Sequence, residues 1–551
     1  MKLKKEIVLE LITAYIFVFA LGFMLFIYEP IFMYAVNMDD FWFDFSIMIK
    51  PTLKIGGIFF LITITAVTLF YFVDRLFDKK RTVFHIMILA GSVLFYILYI
   101  QGNWMVKNLP PLDGSEIIWE NYGRIENKII IAAGIVFCAV IILLVKKCGL
   151  KKTVRRLTLV STVVLVMLSV SLVSTVTGYN ALKRKDGVVF SMKNFNNISE
   201  NQNFLIFLAD AVDAGTFSRI LNDSPEYKNI FEDFTFYSDA ASVYPYTRDA
   251  IPQILSGSIN RNEKEFSEYS SDAYNHSKLF SMLEEEGYSL NLYDHELIWN
   301  GNREYGVSNA DSIYNIRIDL TDYAKQELRW ILFKYLPYSL KKYSKISDLN
   351  FNKCYYDWKN ASIYTEIASH NQLDKQADSM FQFVHVEGAH EPFRYDKDLN
   401  IISGGTYSQA IEASITLIKE YIQRLKENGA YDNSIIVIMA DHGYCTEPVS
   451  ELSENILYRY NPVLLIKGYQ EKHEFLETDT PVSYADLTDA YHDLLAGKKS
   501  TELFQNIDSN LTRKVIYYEY LKEDQMVEYE IRGRAKDAKE FRQTGNFFDR
   551  Q

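Results

Sequence analysis

Five apolar runs, at about 7–28, 55–73, 84–100, 129–145 and 157–177, constrain this chain more than any other feature it has. Each is close to the ~20 residues a helix needs to cross the hydrocarbon core of a bilayer. One such run would pass for a buried core helix. Five in succession, with charged residues confined to the gaps, read as membrane spans. The first follows Met1 and three lysines but is too long for a signal-peptide apolar region, and no small-residue cleavage site follows it, so it reads as a retained anchor.

The gaps set an orientation. Lys2, Lys4 and Lys5, then Arg75, Lys79, Lys80 and Arg81, then Lys146, Lys147, Lys151, Lys152, Arg155 and Arg156 fall at the N-terminus and in alternate gaps, which share one side in a five-helix chain. Basic residues collect in cytoplasmic loops, so the N-terminus is expected in the cytoplasm and everything after residue 178 outside the cell. The other gaps, 29–54 and 101–128, are acidic on balance and carry Trp42, Trp104 and Trp119, as expected at an outer interface.

Charge divides the same way. Residues 1–178 hold 18 basic and 12 acidic side chains, leaving 40 basic and 58 acidic for 179–551, so the net charge of −12 hides +6 at one end and −18 at the other. An acidic outer part without a large basic stripe excludes a nucleic-acid partner. Four cysteines are too few for a disulfide scaffold, and Cys354 with Cys445 is the one pairing open to the outer part.

The expected organisation is a five-helix domain over 1–178, a polar connector over 179–201, a catalytic domain over 202–500 and a C-terminal subdomain over 501–551. Within 202–500 the strongest signals are short continuous apolar runs: FLIFLA (204–209), FQFVHV (381–386), IIVIMA (435–440) and VLLI (463–466). Such runs read as strands buried on both faces, the mark of a largely parallel or mixed sheet between helices in an α/β domain. Residues 408–426 read as a helix with Ile411, Ile415, Ile418, Ile422 and Leu425 on one stripe. Residues 515–521 and 526–532 flank a polar KEDQ turn, predicting an antiparallel hairpin.

Chemistry-bearing residues stand where these strands stop. FLIFLA is followed by Asp210, FQFVHV by Glu387, Gly388 and His390, and IIVIMA by Asp441, His442 and Gly443. Ligands of open α/β sheets bind beyond the carboxyl ends of the strands, so these residues should converge. A fourth segment, YPYTRDAIPQILSG (244–257), predicts a helix from Asp249 to Leu255 with Pro252 in its first turn. Thr247 then precedes a helix N-terminus, a place that favours an anion.

Together these residues resemble the alkaline phosphatase/sulfatase superfamily over about 200–500. The five-helix anchor resembles its membrane-bound branch of lipoteichoic acid synthases and phosphoethanolamine transferases. The resemblance implies Asp210, Thr247, Asp441 and His442 as metal ligands, with Thr247 also the nucleophile. The family's His-x-x-Gly-x-His-x-Pro segment is present as His385, Gly388, His390 and Pro392, implying substrate contacts for His385 and His390 and a catalytic role for His390. Ser256-Gly257 falls where sulfatases place Thr-Gly. This chain departs from sulfatases in carrying Thr247 where they need a Cys or Ser converted to formylglycine, and Ala211 where they have a second Asp. It departs from the transferases in carrying Asp210 where they have Glu. Asp213 reads as a solvated acid at a helix start.

Three oxygens and one nitrogen suit Mn²⁺ or Zn²⁺, with Mg²⁺ possible. The expected activity is transfer of a phospholipid head group, phosphoglycerol or phosphoethanolamine, through a phosphothreonine onto an envelope glycan or glycolipid, with Arg248 adding positive charge. The donor would be a phospholipid of the outer leaflet. A membrane-anchored hydrolase or phosphodiesterase that uses water as acceptor is the alternative. A non-catalytic lipid-binding sensor is a third reading, disfavoured because such a protein has no physical need of Asp441 and His442 together.

Overall fold

The computed structural model describes residues 2–549 except 39–40, 42, 79, 107–108, 110–118, 120–121, 185–187, 295–296, 298, 300–303, 313–317, 345–359, 370–371, 403, 445–458, 506–511 and 520–521. Trp42, Cys354 and Cys445 lie outside the described residues. Contacts divide the chain into two units, 1–185 with 313–357, and 186–312 with 358–551. The division differs from the linear expectation in two ways. Most of the 179–201 connector joins the second unit through strands Val188–Phe190 and Asn197–Ser199. An insertion near 313–357, expected inside the catalytic domain, packs with the membrane helices instead.

The membrane unit begins with α1 (Lys2–Phe23), which passes through a π-helical turn, Met24–Tyr28, into α2 (Glu29–Val36). Then come α3 (Phe45–Phe77), α4 (Thr82–Trp104), α5 (Arg124–Cys148) and α6 (Leu150–Gly178). Five spans are long and apolar enough to cross a membrane, Glu6–Val36 being the first. Residues 29–54, expected as a loop, are largely helical. Asp44 explains the early start of α3: its carboxylate accepts the Ser46 N–H at 2.7 Å, capping the helix ten residues before the apolar run. Leu61, Phe77 and Val170 stay exposed, as side chains facing lipid do.

Several buried polar residues of this unit are paired. Glu29, fully buried, accepts from Trp330 Nε1 at 3.0 Å, Lys334 Nζ at 2.6 Å and Tyr335 OH at 3.0 Å, all on the inserted helix Leu320–Tyr335. The same inserted helix meets α3, where the Thr52 and Tyr323 hydroxyls lie 2.5 Å apart. Gly102 is required there, since a Cβ would sit 2.3 Å from the Tyr335 ring.

The second unit is built on a seven-stranded sheet: β1 (Asn203–Ala209), β2 (Thr235–Tyr237), β3 (Ser289–Tyr293), β4 (Met380–Val386), β5 (Ser434–Met439), β6 (Leu464–Lys467) and β7 (Leu476–Thr478). The order is β7-β2-β6-β5-β1-β4-β3. Strands β5, β1, β4 and β3 run parallel, while β6 is antiparallel to both its neighbours, so the sheet is mixed. Strands β1, β4 and β5 are buried at every residue because helices cover both faces, which is why they read as unbroken apolar runs. The helix Tyr407–Glu427 buries the whole expected isoleucine stripe and starts with a Thr406/Gln409 capping box.

At the C-terminus β8 (Arg513–Glu519), β9 (Lys522–Ile531) and β10 (Phe541–Asp549) form an antiparallel sheet. Glu519 pairs with Lys522, so KEDQ lies within β9 rather than at the turn. The third strand was not expected from the sequence; its Gly545 and polar residues break the alternation that marks a strand.

Candidate active site

Parallel strands β1 and β5 are neighbours, and both end at the same edge. Asp210 therefore lies beside Asp441 and His442, although 230 residues of chain separate them. One carboxylate oxygen of each aspartate and a ring nitrogen of His442 lie within 4.8 Å of one another, and all three residues are buried. His442 Nε2 is 3.7 Å from Asp210 Oδ1 and 3.4 Å from Asp441 Oδ2. His442 Nδ1 lies 2.6 Å from the Gly443 carbonyl, which can only accept, so Nδ1 carries the proton and Nε2 presents its lone pair to the two aspartates.

Thr247 completes the group, its Oγ1 3.2 Å from His442 Nε2. The helix here runs Thr247–Ser256, two residues earlier than expected. Tyr246 is extended, and the first helical hydrogen bond runs from Ala250 N to Tyr246 O at 3.2 Å. Thr247 is thus the first helical residue, with its hydroxyl at the positive end of the helix. Pro252 falls in the second turn, where it has no N–H to offer the Arg248 carbonyl.

Three contacts hold this geometry. Gly388, at φ +54°, packs so tightly on the β1 end that a Cβ would meet Asp210 N and O at 2.4 Å, so only glycine fits. Ala211, where sulfatases have a second Asp, takes φ +60° and donates its N–H to Asp441 Oδ1 at 3.2 Å. Behind Thr247, the Tyr518 hydroxyl of β8 donates to buried Asp249 at 2.5 Å, and Ile516 N donates to Val243 O at 2.8 Å. The C-terminal sheet thereby buttresses the Thr247 segment.

Other expected residues land differently. His385, expected to touch substrate, is buried under Asp210, with Nδ1 3.1 Å from Asp294 and Nε2 3.9 Å from Asp210. It occupies a β4 position whose side chain points into the packed sheet face. His390 is exposed, its Nδ1 2.6 Å from the Glu391 carbonyl. Arg248 is exposed with its guanidinium 4.3 Å over the Phe266 ring. Ser256-Gly257 closes the helix that Thr247 opens, Gly257 at φ +78°, and so lies about 15 Å along the axis from it. Asp213 caps the helix Ala214–Asp223, accepting Thr216 N at 2.7 Å, but is buried under Tyr407 rather than solvated.

Two residues escaped the sequence reading. Asp294 follows β3, whose SLNLY run is interrupted by Asn291 and did not register as a strand. Arg459 donates to the Pro245 carbonyl at 3.1 Å, lies 5.0 Å over the Tyr246 ring, and accepts Gly443 N at its own carbonyl. It ties the Asp-His-Gly turn to the segment before Thr247; an Arg before an apolar run carries no signal of that task.

The electrostatics ask for a cation. Burial opposes ionisation of Asp210, yet the imidazoles of His390, His385 and His442 hold it well below the usual carboxylate range. Burial and the charge of Asp210 push Asp441 up. Burial disfavours the charged form of His385, but Asp294 and Asp210 raise its pKa well above the usual value. Asp210 Oδ1 and Asp441 Oδ2 are buried without a hydrogen-bond partner. Two buried carboxylate oxygens and an imidazole lone pair, aimed at one another, fit a divalent ion.

A sequence profile of the Sulfatase family matches residues 202–497, more than half of the chain. The chain belongs to the sulfatase family. The match spans the sheet, Thr247 and the Asp210/Asp441/His442 cluster, and membership makes the protein an enzyme of the alkaline phosphatase superfamily, as its residues resembled. No curated protein sequence matches it significantly. Among solved structures, the C-terminal periplasmic domain of EcEptC from Escherichia coli is 13% identical and has a TM-score of 0.32, the alignment covering 65% of this chain and 96% of that one. A protein of the alkaline phosphatase superfamily from Vibrio parahaemolyticus is 11% identical, with a TM-score of 0.37, covering 66% and 85%. A Bacteroides thetaiotaomicron protein from a study of glycosaminoglycan metabolism is 13% identical, with a TM-score of 0.41, covering 64% and 92%.

Proposed function

We propose that this sulfatase-family protein transfers a phospholipid head group onto an envelope glycan or glycolipid, through a phosphothreonine at Thr247. The observation that carries the reading is Thr247 itself: a hydroxyl at a helix start, 3.2 Å from His442 Nε2, where a formylglycine sulfatase needs Cys or Ser. A threonine hydroxyl cannot become an aldehyde of that kind, but it can form and release a phosphate ester. Asp210, Asp441, His442 and Thr247 would hold a divalent ion, Mn²⁺ or Zn²⁺ by the mixed oxygen and nitrogen donor set, and the ion would supply Lewis acidity and favour the ionised hydroxyl.

Thr247 Oγ attacks phosphorus and the bond to the diacylglycerol oxygen breaks; the proton lost by Thr247 ends on that alcohol. His390, exposed and close enough to Asp210 to stabilise its charge, is placed to carry it. An acceptor hydroxyl then attacks the phosphothreonine, restoring Thr247. His385, Asp294 and Gly388 hold Asp210 in place. The five spans favour a donor drawn from the outer leaflet, with the N-terminus in the cytoplasm and the catalytic domain outside.

Intact-mass measurement of the full chain after incubation with phospholipid tests this. The expected result is one phosphoglycerol- or phosphoethanolamine-sized adduct on Thr247, absent in Thr247→Ala and discharged by a glycan acceptor. Undiminished transfer by Thr247→Ala would overturn the proposal. An adduct that water discharges as fast as any acceptor would favour the hydrolase reading.

A further inference from the structure

In the membrane unit a cavity of about 640 Å³ opens between the α3–α4 turn and the α5–α6 turn. Its lining includes Lys80, Arg81, Lys151 and Lys152 against one carboxylate, Glu6. Beneath it Glu10, 5% exposed, forms ion pairs with Arg81 (Nε 2.7 Å away) and Lys151 (Nζ 3.0 Å away), while Glu6 lies 3.2 Å from each of those two cations. The carboxylates thus fix Arg81 and Lys151 in place. Lys152 has no carboxylate partner among the described residues and Lys80 has only the nearby Asp78, so the cavity keeps an excess of positive charge.

The backbone adds to that excess. At the start of α4 the N–H groups of Thr82 and Phe84 are already taken by Asp78 and Asp74. At the start of α6 Gly149 supplies no side-chain cap, and Gly149, Leu150, Lys151 and Lys152 line the cavity themselves. The positive end of a 29-residue helix therefore faces the same space as the exposed Lys80 and Lys152. Arg81 is held at φ +53°, an unfavourable backbone for a bulky side chain, by Glu6 and Glu10. The ordinary task of such lysines is to set topology, which needs neither a cavity nor fixed geometry.

We propose that this cavity binds a phosphate group, that of an anionic phospholipid in the leaflet on the lysine-rich side of the membrane. Basic pockets between transmembrane helices suit such head groups, and the acyl chains would lie along the exposed apolar faces of α3 and α6. The site rests on the five helices lying in a membrane and is independent of the reaction proposed for Thr247.

The test uses the purified full chain in zwitterionic detergent, with thermal stability and native mass spectrometry as readouts. Dioctanoyl phosphatidylglycerol, dioctanoyl phosphatidylcholine and inorganic phosphate are titrated separately. Saturable stabilisation by the anionic lipid, with one retained copy, is expected, and none by phosphatidylcholine. The Lys80→Gln/Lys152→Gln double variant should melt as the parent does without lipid and bind the anionic lipid roughly tenfold more weakly. Lys146→Gln/Lys147→Gln, outside the cavity lining, should bind as the parent does. Stabilisation by inorganic phosphate equal to that by the lipid supports a phosphate site but assigns it to a soluble source. Equal binding of both lipids, or equal weakening by the two double variants, overturns the proposal.

Discussion

Both units bury carboxylates, and they neutralise them in opposite ways. In the membrane unit Glu29 is met by Lys334, Trp330 and Tyr335, and Glu10 by Arg81, Lys151 and Tyr71, so the chain itself supplies the counter-charge to these two acids. In the second unit Asp210 and Asp441 face each other and the His442 ring, with one oxygen of each left without a hydrogen bond. A carboxylate neutralised by its own chain locks helices together. A pair left short of positive charge is stable only with something brought from outside, which is what a catalytic metal site needs.

Substituting an acid in each unit puts the contrast under most strain. Asp441→Asn should lower turnover by about a thousandfold or more. In chelator-treated protein the same variant should melt a few degrees higher than the parent, since it removes one of two like charges. Enzyme assay and thermal melting check the two halves, and a lower melting point would place Asp441 with the structural acids. Glu29→Ala should do the reverse, costing about 3–5 kcal/mol of stability by stranding Lys334, read as a large fall in melting temperature in detergent. Tyr518→Phe leaves buried Asp249 without its 2.5 Å donor, for a loss of about 1–3 kcal/mol; turnover should fall more than substrate affinity, because Thr247 loses its support.

The smallest effect sharpens the comparison from within the membrane unit. Glu327, on the inserted helix, is buried with neither oxygen hydrogen-bonded, and burial pushes its pKa up to about 9. A carboxyl protonated in the folded state and ionised in the unfolded one loses stability as pH rises from about 4.5 to about 9. The parent should therefore melt several degrees lower at pH 9 than at pH 5, and Glu327→Gln should flatten that slope. An unchanged slope would mean that Glu327 is ionised and paired like Glu29.

The readable parts of the sequence share a physical cause. Spans that face lipid and strands covered on both faces are apolar at every position, so α3 to α6, β1, β4 and β5 stand out without alignment. Asp210 and Asp441-His442 were legible because they interrupt such runs at their ends. Asp294 was not, because Asn291 breaks the run before it. Leu320–Tyr335 looked like any amphipathic helix, and only packing reveals that it belongs with Glu29. The helix start at Thr247 was missed by two residues because Arg248 and Asp249 look like a cap. Their side chains instead serve Phe266 and Tyr518.

By itself the sequence determined that five helices precede an α/β domain, and that an Asp, a Thr and an Asp-His pair end or begin its elements, since burial on every side leaves an unbroken apolar signature. Tertiary structure alone decided which acids are answered by the chain's own cations and which are left for a ligand. That depends on distances of 2.6–3.7 Å between residues up to 306 positions apart, and no local pattern of side chains encodes them.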